Sequence, residues 1–175
     1  MFFAIAFYMG LRKGEILALH WSDIDGACLD IKRSINENGV ETPPKNKASI
    51  RRIQIPIPLM EILLAHKERQ MQLPNFNEDS KILGDGKCLS RTAIKTRNIR
   101  YASQAELKII RIHDFRHSHA SFLAFMGINI QEIARRLGHA KIEMTWNTYS
   151  HLYPQEEERA IAVLNAMLNP YTLCA

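Results

Sequence analysis

The chain has 175 residues, which is enough for one domain with a substantial core and too few for two domains of ordinary size. Hydrophobic residues make up 46% of the chain and charged residues 23%, so wholesale disorder is excluded. The net charge of +5 favours a polyanionic partner. The cysteines Cys28, Cys88 and Cys174 lie far apart without a CxxC pair, which predicts free thiols in a reducing compartment rather than a disulfide framework or a zinc knuckle.

The apolar opening segment, MFFAIAFYMGL, is too short to cross a membrane and lacks the cationic region and cleavage site of a signal peptide. We therefore expect a soluble cytoplasmic protein. Apolar residues continue to Leu11 and resume at Ile16, which predicts a buried helix, a break at Gly10 and a second helix near 13–20. Because a domain usually opens with polar residues, this beginning predicts that the chain is a piece of a longer protein.

The next elements are predicted to be two strands, at 27–36 and 50–57, because isoleucines at 53, 55 and 57 alternate with other residues. The turn-rich segment between them carries Lys45 and Lys47 and predicts a hairpin loop. Helices are then expected near 59–73, 89–106, 112–126, 128–137, 141–150 and 154–168. The predicted fold class is α+β, mainly α-helical with a small antiparallel β-sheet.

Positive charge is concentrated in two stretches. Residues 43–52 hold four cations and no acid, and residues 81–119 hold nine cations against three acids. Solvated helix faces would explain this, but two basic blocks on either side of a His/Arg cluster favour a surface that binds the phosphate backbone of DNA. The candidate DNA-binding residues are Lys47, Arg51, Arg91, Lys95, Arg97 and Arg100.

The His/Arg cluster itself lies in RIHDFRHSHAS, residues 111–121, where His113, Arg116 and His117 share one helical face. HDFRH imitates the zinc motif HExxH, although Asp114 is shorter than the motif's glutamate and Arg116 would set a cation beside the metal. The cluster could also be structural. As a phosphate site it would combine a bidentate guanidinium with imidazoles that donate or transfer protons.

A different function is suggested by residues 128–151. The segment IQEIARRLGHAKIEMT resembles a DNA-binding helix-turn-helix with its turn at Gly138. A non-catalytic DNA-binding protein is therefore the alternative, although it would leave the His/Arg cluster and the lysine-bearing hairpin unexplained.

Taken together, these segments resemble the catalytic domain of the tyrosine recombinases, the phage- and transposon-type integrases. The family's boxes are matched in order by GLRKGEILAL with Arg12, HDFRHSHAS with His113 and Arg116, ARRLGH with His139, and NTYSHLYP with Tyr149. The hairpin PPKNKASIRRIQIP is similar to the family's lysine element, in which Lys45 is the better match and Lys47 the alternative. Two departures are Asn46, where many relatives have Thr, and a spacing of ten residues between His139 and Tyr149, which is one shorter in some relatives.

The resemblance implies site-specific DNA cleavage and rejoining, in which Tyr149 attacks a phosphodiester, forms a 3′-phosphotyrosyl intermediate and frees a 5′-hydroxyl. Arg12 and Arg116 would clamp the non-bridging oxygens, and His139 would add a hydrogen bond. His113 would be the acid/base partner of the tyrosine, and Lys45 would protonate the leaving oxygen. Because cations neutralise the phosphoryl charge and the ester conserves bond energy, no metal, cofactor or ATP is expected.

The same resemblance implies that residues 1–175 are a single catalytic domain, without the family's amino-terminal DNA-binding domains and without its own first helix. Its partner would be double-stranded DNA, with a tetramer on DNA, a monomer when free, and no membrane. The amphipathic tail after Tyr149 would pack on its own domain or on a neighbouring subunit. Glu15 is expected to support the arginine, His117 to lie behind the reacting groups, and His119 to lie on a helix surface.

Overall fold

The computed structural model describes residues 1–44, 47–84, 89–153 and 157–167, and the elements named here are those of the described residues. The helices are α1 (Phe2–Met9), α2 (Lys13–Leu17), α3 (Ile57–Gln70), α4 (Arg91–Gln104), α5 (Asp114–Phe125), α6 (Ile130–Leu137), α7 (Glu143–Tyr149) and α8 (Glu157–Met167). The strands are β1 (Ile24–Asp25), β2 (Cys28–Ile31), β3 (Ser34–Ile35), β4 (Glu41–Thr42) and β5 (Arg51–Gln54). The fold is therefore α+β and mainly helical, as predicted.

The main sheet has three antiparallel strands in the order β1-β2-β5, with Leu29 opposite Ile53. The strand predicted over 27–36 is divided, because β2 ends at Ile31 and β3 pairs with β4 in a separate hairpin. The side-chain oxygen of Asn36 accepts hydrogen bonds from the backbone N–H groups of Asn38 and Val40 and so closes that hairpin's turn. The chain therefore leaves the first sheet earlier than the apolar pattern indicates.

The strand predicted over 50–57 also ends early, at Gln54, since proline cannot donate to a strand ladder. Pro56 caps α3, and Pro58 lies in its first turn, where a missing N–H costs nothing. The helix expected over 59–73 consequently begins at Ile57 and ends at Gln70.

The larger core cluster surrounds α1, whose Ile5 and Met9 are fully buried, and joins it to α2 and the main sheet. A smaller cluster forms where α5, α6 and α7 meet, and its members are Ala120, Ala124, Ile133, Leu137 and Tyr149. Within the described ranges, no helix has the length and apolarity needed to cross a membrane. Helix α5 contacts both clusters, so a polar residue on α5 can be held between them.

Gly10 ends α1 in a left-handed conformation, with φ +63°. A Cβ atom built at this position would lie 2.5 Å from Cδ2 of His119, so glycine is needed both for the backbone angle and for the close approach. The expectation that His119 lies on a helix surface was wrong, because its side chain is packed against this turn and is 6% exposed. Burial, followed by the charge of Arg136, lowers the pKa of His119 to about 4, so the buried imidazole is neutral at neutral pH.

We predict that Gly10→Ala lowers the free energy of unfolding by about 2–4 kcal/mol, the sum of left-handed strain and a core clash. The matched control is Gly26→Ala, because Gly26 has φ +56° but nothing within 4 Å of its Cβ position, and it should lose only about 1 kcal/mol. Chemical denaturation of both variants measures the difference. Equal losses would show that the contact with His119 carries no energy.

Candidate active site

Arg116 lies in the first turn of α5 and is buried between the two core clusters, with only 4% of its surface exposed. Its Nη1 donates to the carbonyl of Gly10 at 2.7 Å, and its Nη2 donates to the carbonyl of Leu137 at 2.7 Å. Both carbonyls stand at helix C-termini, where the backbone carries partial negative charge. Burial lowers the pKa of Arg116 to about 9, so the guanidinium remains a cation at neutral pH.

The end of α6 holds two further arginines in the same way. Nε of Arg51 donates to the carbonyl of Arg136 at 2.7 Å, and Nη2 of Arg12 donates to the carbonyl of Gly138 at 3.3 Å. Together with Leu137, three consecutive carbonyls thus each accept from a different guanidinium; residues 136–138 are called the carbonyl platform below. Gly138 has φ +66°, and a Cβ there would lie 2.8 Å from Nη1 of Arg51, so only glycine fits this turn.

Glu15 is the carboxylate that joins Arg12 to Arg51. Its oxygens accept from the backbone N–H of Arg12 at 2.9 Å, from Nη1 of Arg12 at 2.9 Å and from Nη2 of Arg51 at 2.9 Å. Burial acts to raise the pKa of Glu15, but the hydrogen bonds and charges of Arg51 and Arg12 outweigh it, and the pKa lies below its ordinary value. Glu15 is therefore an ionised support for the arginines, as predicted.

His139 follows the carbonyl platform directly and contacts Arg116. Its Nε2 lies 3.0 Å from Nη2 of Arg116, and its Nδ1 lies 2.8 Å from the hydroxyl of Thr145. Because a guanidinium can only donate, Nε2 is the acceptor, and the neutral ring carries its proton on Nδ1. Burial and the neighbouring Arg116 lower the pKa of His139 to about 4, so the ring is neutral at neutral pH.

Tyr149 ends α7, and its ring is buried in the smaller core cluster with 4% exposure. Its hydroxyl lies 2.6 Å from Nδ1 of His117. Burial raises the pKa of Tyr149, an effect that the charge of Arg116 only partly opposes. The phenol is therefore protonated at rest and needs a proton acceptor before it can act as a nucleophile.

His113 stands one turn before His117 on α5, and the two rings meet edge-on with centroids 4.9 Å apart. Among the described residues, the hydrogen bond to the Tyr149 hydroxyl therefore comes from His117 rather than from His113, the residue expected to exchange a proton with the tyrosine. Loss of hydration and the neighbouring His117 and Arg116 lower the pKa of His113. In this structure His113 lies at the exposed edge of the cluster.

The zinc alternative depends on Asp114 acting with His113 and His117. Instead, the Asp114 carboxylate accepts from the backbone N–H of Arg111 at 3.0 Å and from Nη2 of the same residue at 3.0 Å. Among the described residues, no group of three or more histidines, cysteines or carboxylates could hold a metal ion. The geometry therefore does not favour a metal centre at HDFRH.

The candidate DNA-binding residues fall into different environments. Lys95, Arg97 and Arg100 are exposed on α4. Lys95 and Arg97 are two residues apart, which separates them by about 200° around the helix axis and so places them on nearly opposite sides of α4. Arg51 differs from expectation, because its side chain is 4% exposed and is engaged with Glu15 and the carbonyl platform. Lys45 lies outside the described residues, as do the side chains of Lys47 and Arg91.

Two polar contacts were missed by the sequence analysis. Thr145 is fully buried and holds His139, and His117 bonds directly to Tyr149. Helical spacing places Thr145 on one face with Tyr149, and His117 on one face with His113. It does not indicate the actual partners, since Tyr149 is 32 residues from His117 and His139 lies before α7 begins.

Comparison with known proteins gives a consistent family. Residues 1–156 match the model of the phage integrase family. The chain is 39% identical over 180 residues to the ICEBs1 integrase of Bacillus subtilis, covering 95% of this chain and 48% of that protein. It is 29% identical over 188 residues to a XerC-like tyrosine recombinase of Caldanaerobacter subterraneus, covering 93% of this chain and 48% of that protein.

A solved structure of similar fold is the integrase of transposon Tn1549 in complex with a circular intermediate DNA. The TM-score is 0.74 at 18% identity, and the match covers 94% of this chain and 57% of that one. The chain thus spans about half the length of the curated relatives it matches.

We predict that Arg51→Met destabilises the fold by about 3 kcal/mol, because it removes one partner of a buried ion pair. The matched control is Arg52→Met on the next residue, whose side chain is 49% exposed and pairs with Asp25 at the surface. It should cost about 1 kcal/mol or less. Denaturant unfolding measures both losses, and an Arg51→Met protein as stable as the control would contradict the structural role of Arg51.

Proposed function

Because the chain belongs to the phage integrase family, we propose that it carries out site-specific cleavage and rejoining of DNA through a 3′-phosphotyrosyl intermediate. The observation that supports this is a buried tyrosine whose hydroxyl lies 2.6 Å from Nδ1 of His117 and is close enough to Arg116 to be affected by its charge, while Arg116 itself contacts His139. A phenol needs such a charged, preorganised environment to attack a phosphodiester.

Tyr149 is proposed as the nucleophile. Within the described part of the chain, Arg116 keeps guanidinium N–H groups beyond those directed at Gly10, Leu137 and His139, and Arg12 is partly exposed beside it, so both are proposed to bind non-bridging oxygens. His139 is proposed to donate a hydrogen bond to the transition state, which requires the opposite tautomer to the resting one, with the proton on Nε2 and with Nδ1 accepting from the Thr145 hydroxyl. His113 completes the set at the exposed edge of the cluster.

Lys45 is proposed as the acid that protonates the leaving 5′-oxygen, with Lys47 as the alternative. Both lysines follow Pro43 and Pro44 in the sequence, and these prolines line a cavity together with Arg12 and Glu15, so the described residues next to the lysines lie beside the arginine site. An ammonium group on such a loop suits the task, because it is compact and titratable. With three arginines near the phosphate, the step needs neither a metal ion nor ATP.

Double-stranded DNA is the proposed partner, and the residues proposed to bind it are Lys47, Arg91, Lys95, Arg97 and Arg100. Lys95 lies on the opposite side of α4 from Arg97 and would therefore contact a different part of the DNA. Arg51 is proposed to support the site from inside. We further propose that the chain acts as the catalytic domain of its protein, in the cytoplasm, and as a tetramer on DNA. Helix α8 supports self-association, because Ile161, Val163 and Leu164 are all more than half exposed and would be covered by a neighbouring subunit.

The test of the nucleophile uses nicked duplexes of random sequence, which trap covalent complexes on a denaturing gel in the presence of EDTA. The wild-type chain should form a slowly migrating adduct, and Tyr149→Phe should form none while still retaining DNA in a mobility shift. Tyr153→Phe is the matched control, since its hydroxyl donates to the carbonyl of Ile128 and not to a residue of the proposed site, and it should keep the adduct. DNA retention with no wild-type adduct would favour the helix-turn-helix alternative.

The test of the acid uses a substrate whose scissile 5′-oxygen is replaced by sulfur. A thiolate can leave without first being protonated, because the pKa of a thiol is only about 8.5. Lys45→Ala should therefore cleave the oxygen substrate at least about 100-fold more slowly than wild type and recover on the sulfur substrate. If Lys47→Ala instead is the variant that is slow on the oxygen substrate and recovers on the sulfur substrate, the acid is Lys47.

A further inference from the structure

The proton of the Tyr149 hydroxyl has one partner of clear geometry among the described residues. This partner is Nδ1 of His117, at 2.6 Å, which is a short distance for a hydrogen bond that involves a phenol. The phenol can become a nucleophile only by losing this proton, so the productive arrangement has Nδ1 unprotonated and accepting, with the ring proton on Nε2.

The packing holds this pair in place from both sides. Helix α5 presents His117, Ala120 and Ala124 along one face, and the two alanines belong with Tyr149 to the smaller core cluster. Because their side chains are small, the tyrosine ring can lie close to α5 with its hydroxyl at the imidazole. On its other side His117 meets the ring of His113 edge-on, which fixes the plane of the imidazole.

The other imidazole near the reacting groups is committed elsewhere. Nε2 of His139 accepts from Arg116, and its Nδ1 proton is directed at Thr145. Both ring nitrogens of His139 are therefore engaged away from the phenol, whereas Nδ1 of His117 faces it.

Resting on the function proposed above, we propose that His117 is the catalytic base for Tyr149 and that His113 is a positioning residue acting through it. In cleavage, the bond between Oη of Tyr149 and phosphorus forms, the bond from phosphorus to the 5′-oxygen breaks, and the phenol proton moves to Nδ1 of His117. The leaving oxygen takes a proton from the lysine. In rejoining, a 5′-hydroxyl attacks phosphorus, its proton returns to the lysine, and the departing Tyr149 oxygen recovers its proton from His117.

The experiment first sequences the DNA in wild-type adducts from the random nicked pool and uses one recovered sequence as substrate. Single-turnover adduct formation by His117→Ala should be about 100-fold or more slower than wild type. Added imidazole should restore part of the rate, with better rescue by substituted imidazoles of higher pKa. The sulfur-substituted substrate should not restore the rate of His117→Ala, because that substrate removes the need for the acid and not the need for the base. His151→Ala, at an exposed position in the turn after α7, should match wild type.

Two further variants separate proton transfer from positioning. His117→Asn can place a carbonyl oxygen near the phenol but cannot accept the proton, so it should be as slow as His117→Ala. His113→Ala should be slowed without any rescue by imidazole. Circular dichroism and DNA retention establish that each variant is folded.

The outcomes distinguish the two proposals. If His117→Ala or His117→Asn forms the adduct as fast as the wild-type chain does, the role of His117 is overturned and the proposed function stays intact. Rescue by imidazole in His113→Ala but not in His117→Ala would move the base to His113. Absence of any Tyr149 adduct in the wild-type chain would overturn the proposed function and, with it, this inference.

Discussion

Three guanidinium groups converge on three consecutive carbonyls at the end of α6, and the rest of the site depends on this contact. Like charges at such short range repel strongly where water is excluded. The carbonyl platform and Glu15 oppose that repulsion, because helix-end carbonyls carry partial negative charge and Glu15 adds a full one shared by Arg12 and Arg51. The platform also ties α6 to α1 and to β5, so the arginines cannot move independently of the core.

The charge balance of this arrangement fits a phosphoryl transfer. Arg12, Arg51 and Arg116 with Glu15 give three positive charges and one negative charge, a net +2. A phosphodiester carries one negative charge, and the pentavalent transition state carries a second. A site that holds its cations in place before the substrate arrives gains most from the additional charge, because little reorganisation is needed during reaction.

The sequence was sufficient to predict the family and the helical part of the fold, because short motifs in a fixed order and apolar periodicity are local signals. The resemblance to tyrosine recombinases is confirmed by the family match and by its relatives. Arg51 shows where local signals fail. It lies in phase with Ile53 on β5, which places it inside the fold, yet an arginine is expected outside unless its partner is known. That partner, Glu15, is 36 residues away. The burial of His119 likewise depends on the distant Gly10 turn.

Helix α7 carries two buried groups of the site on one face, one turn apart. Tyr149 lies at its end, and Thr145, one turn earlier, holds the imidazole of His139. Because both side chains belong to one short helix, the position of that helix sets the Tyr149–His117 contact and the Thr145–His139 contact together. The contact at the tyrosine hydroxyl and the contact at the imidazole are thus coupled through α7. Under the proposed function, a displacement of this helix would disturb both the nucleophile and the histidine beside Arg116 at once.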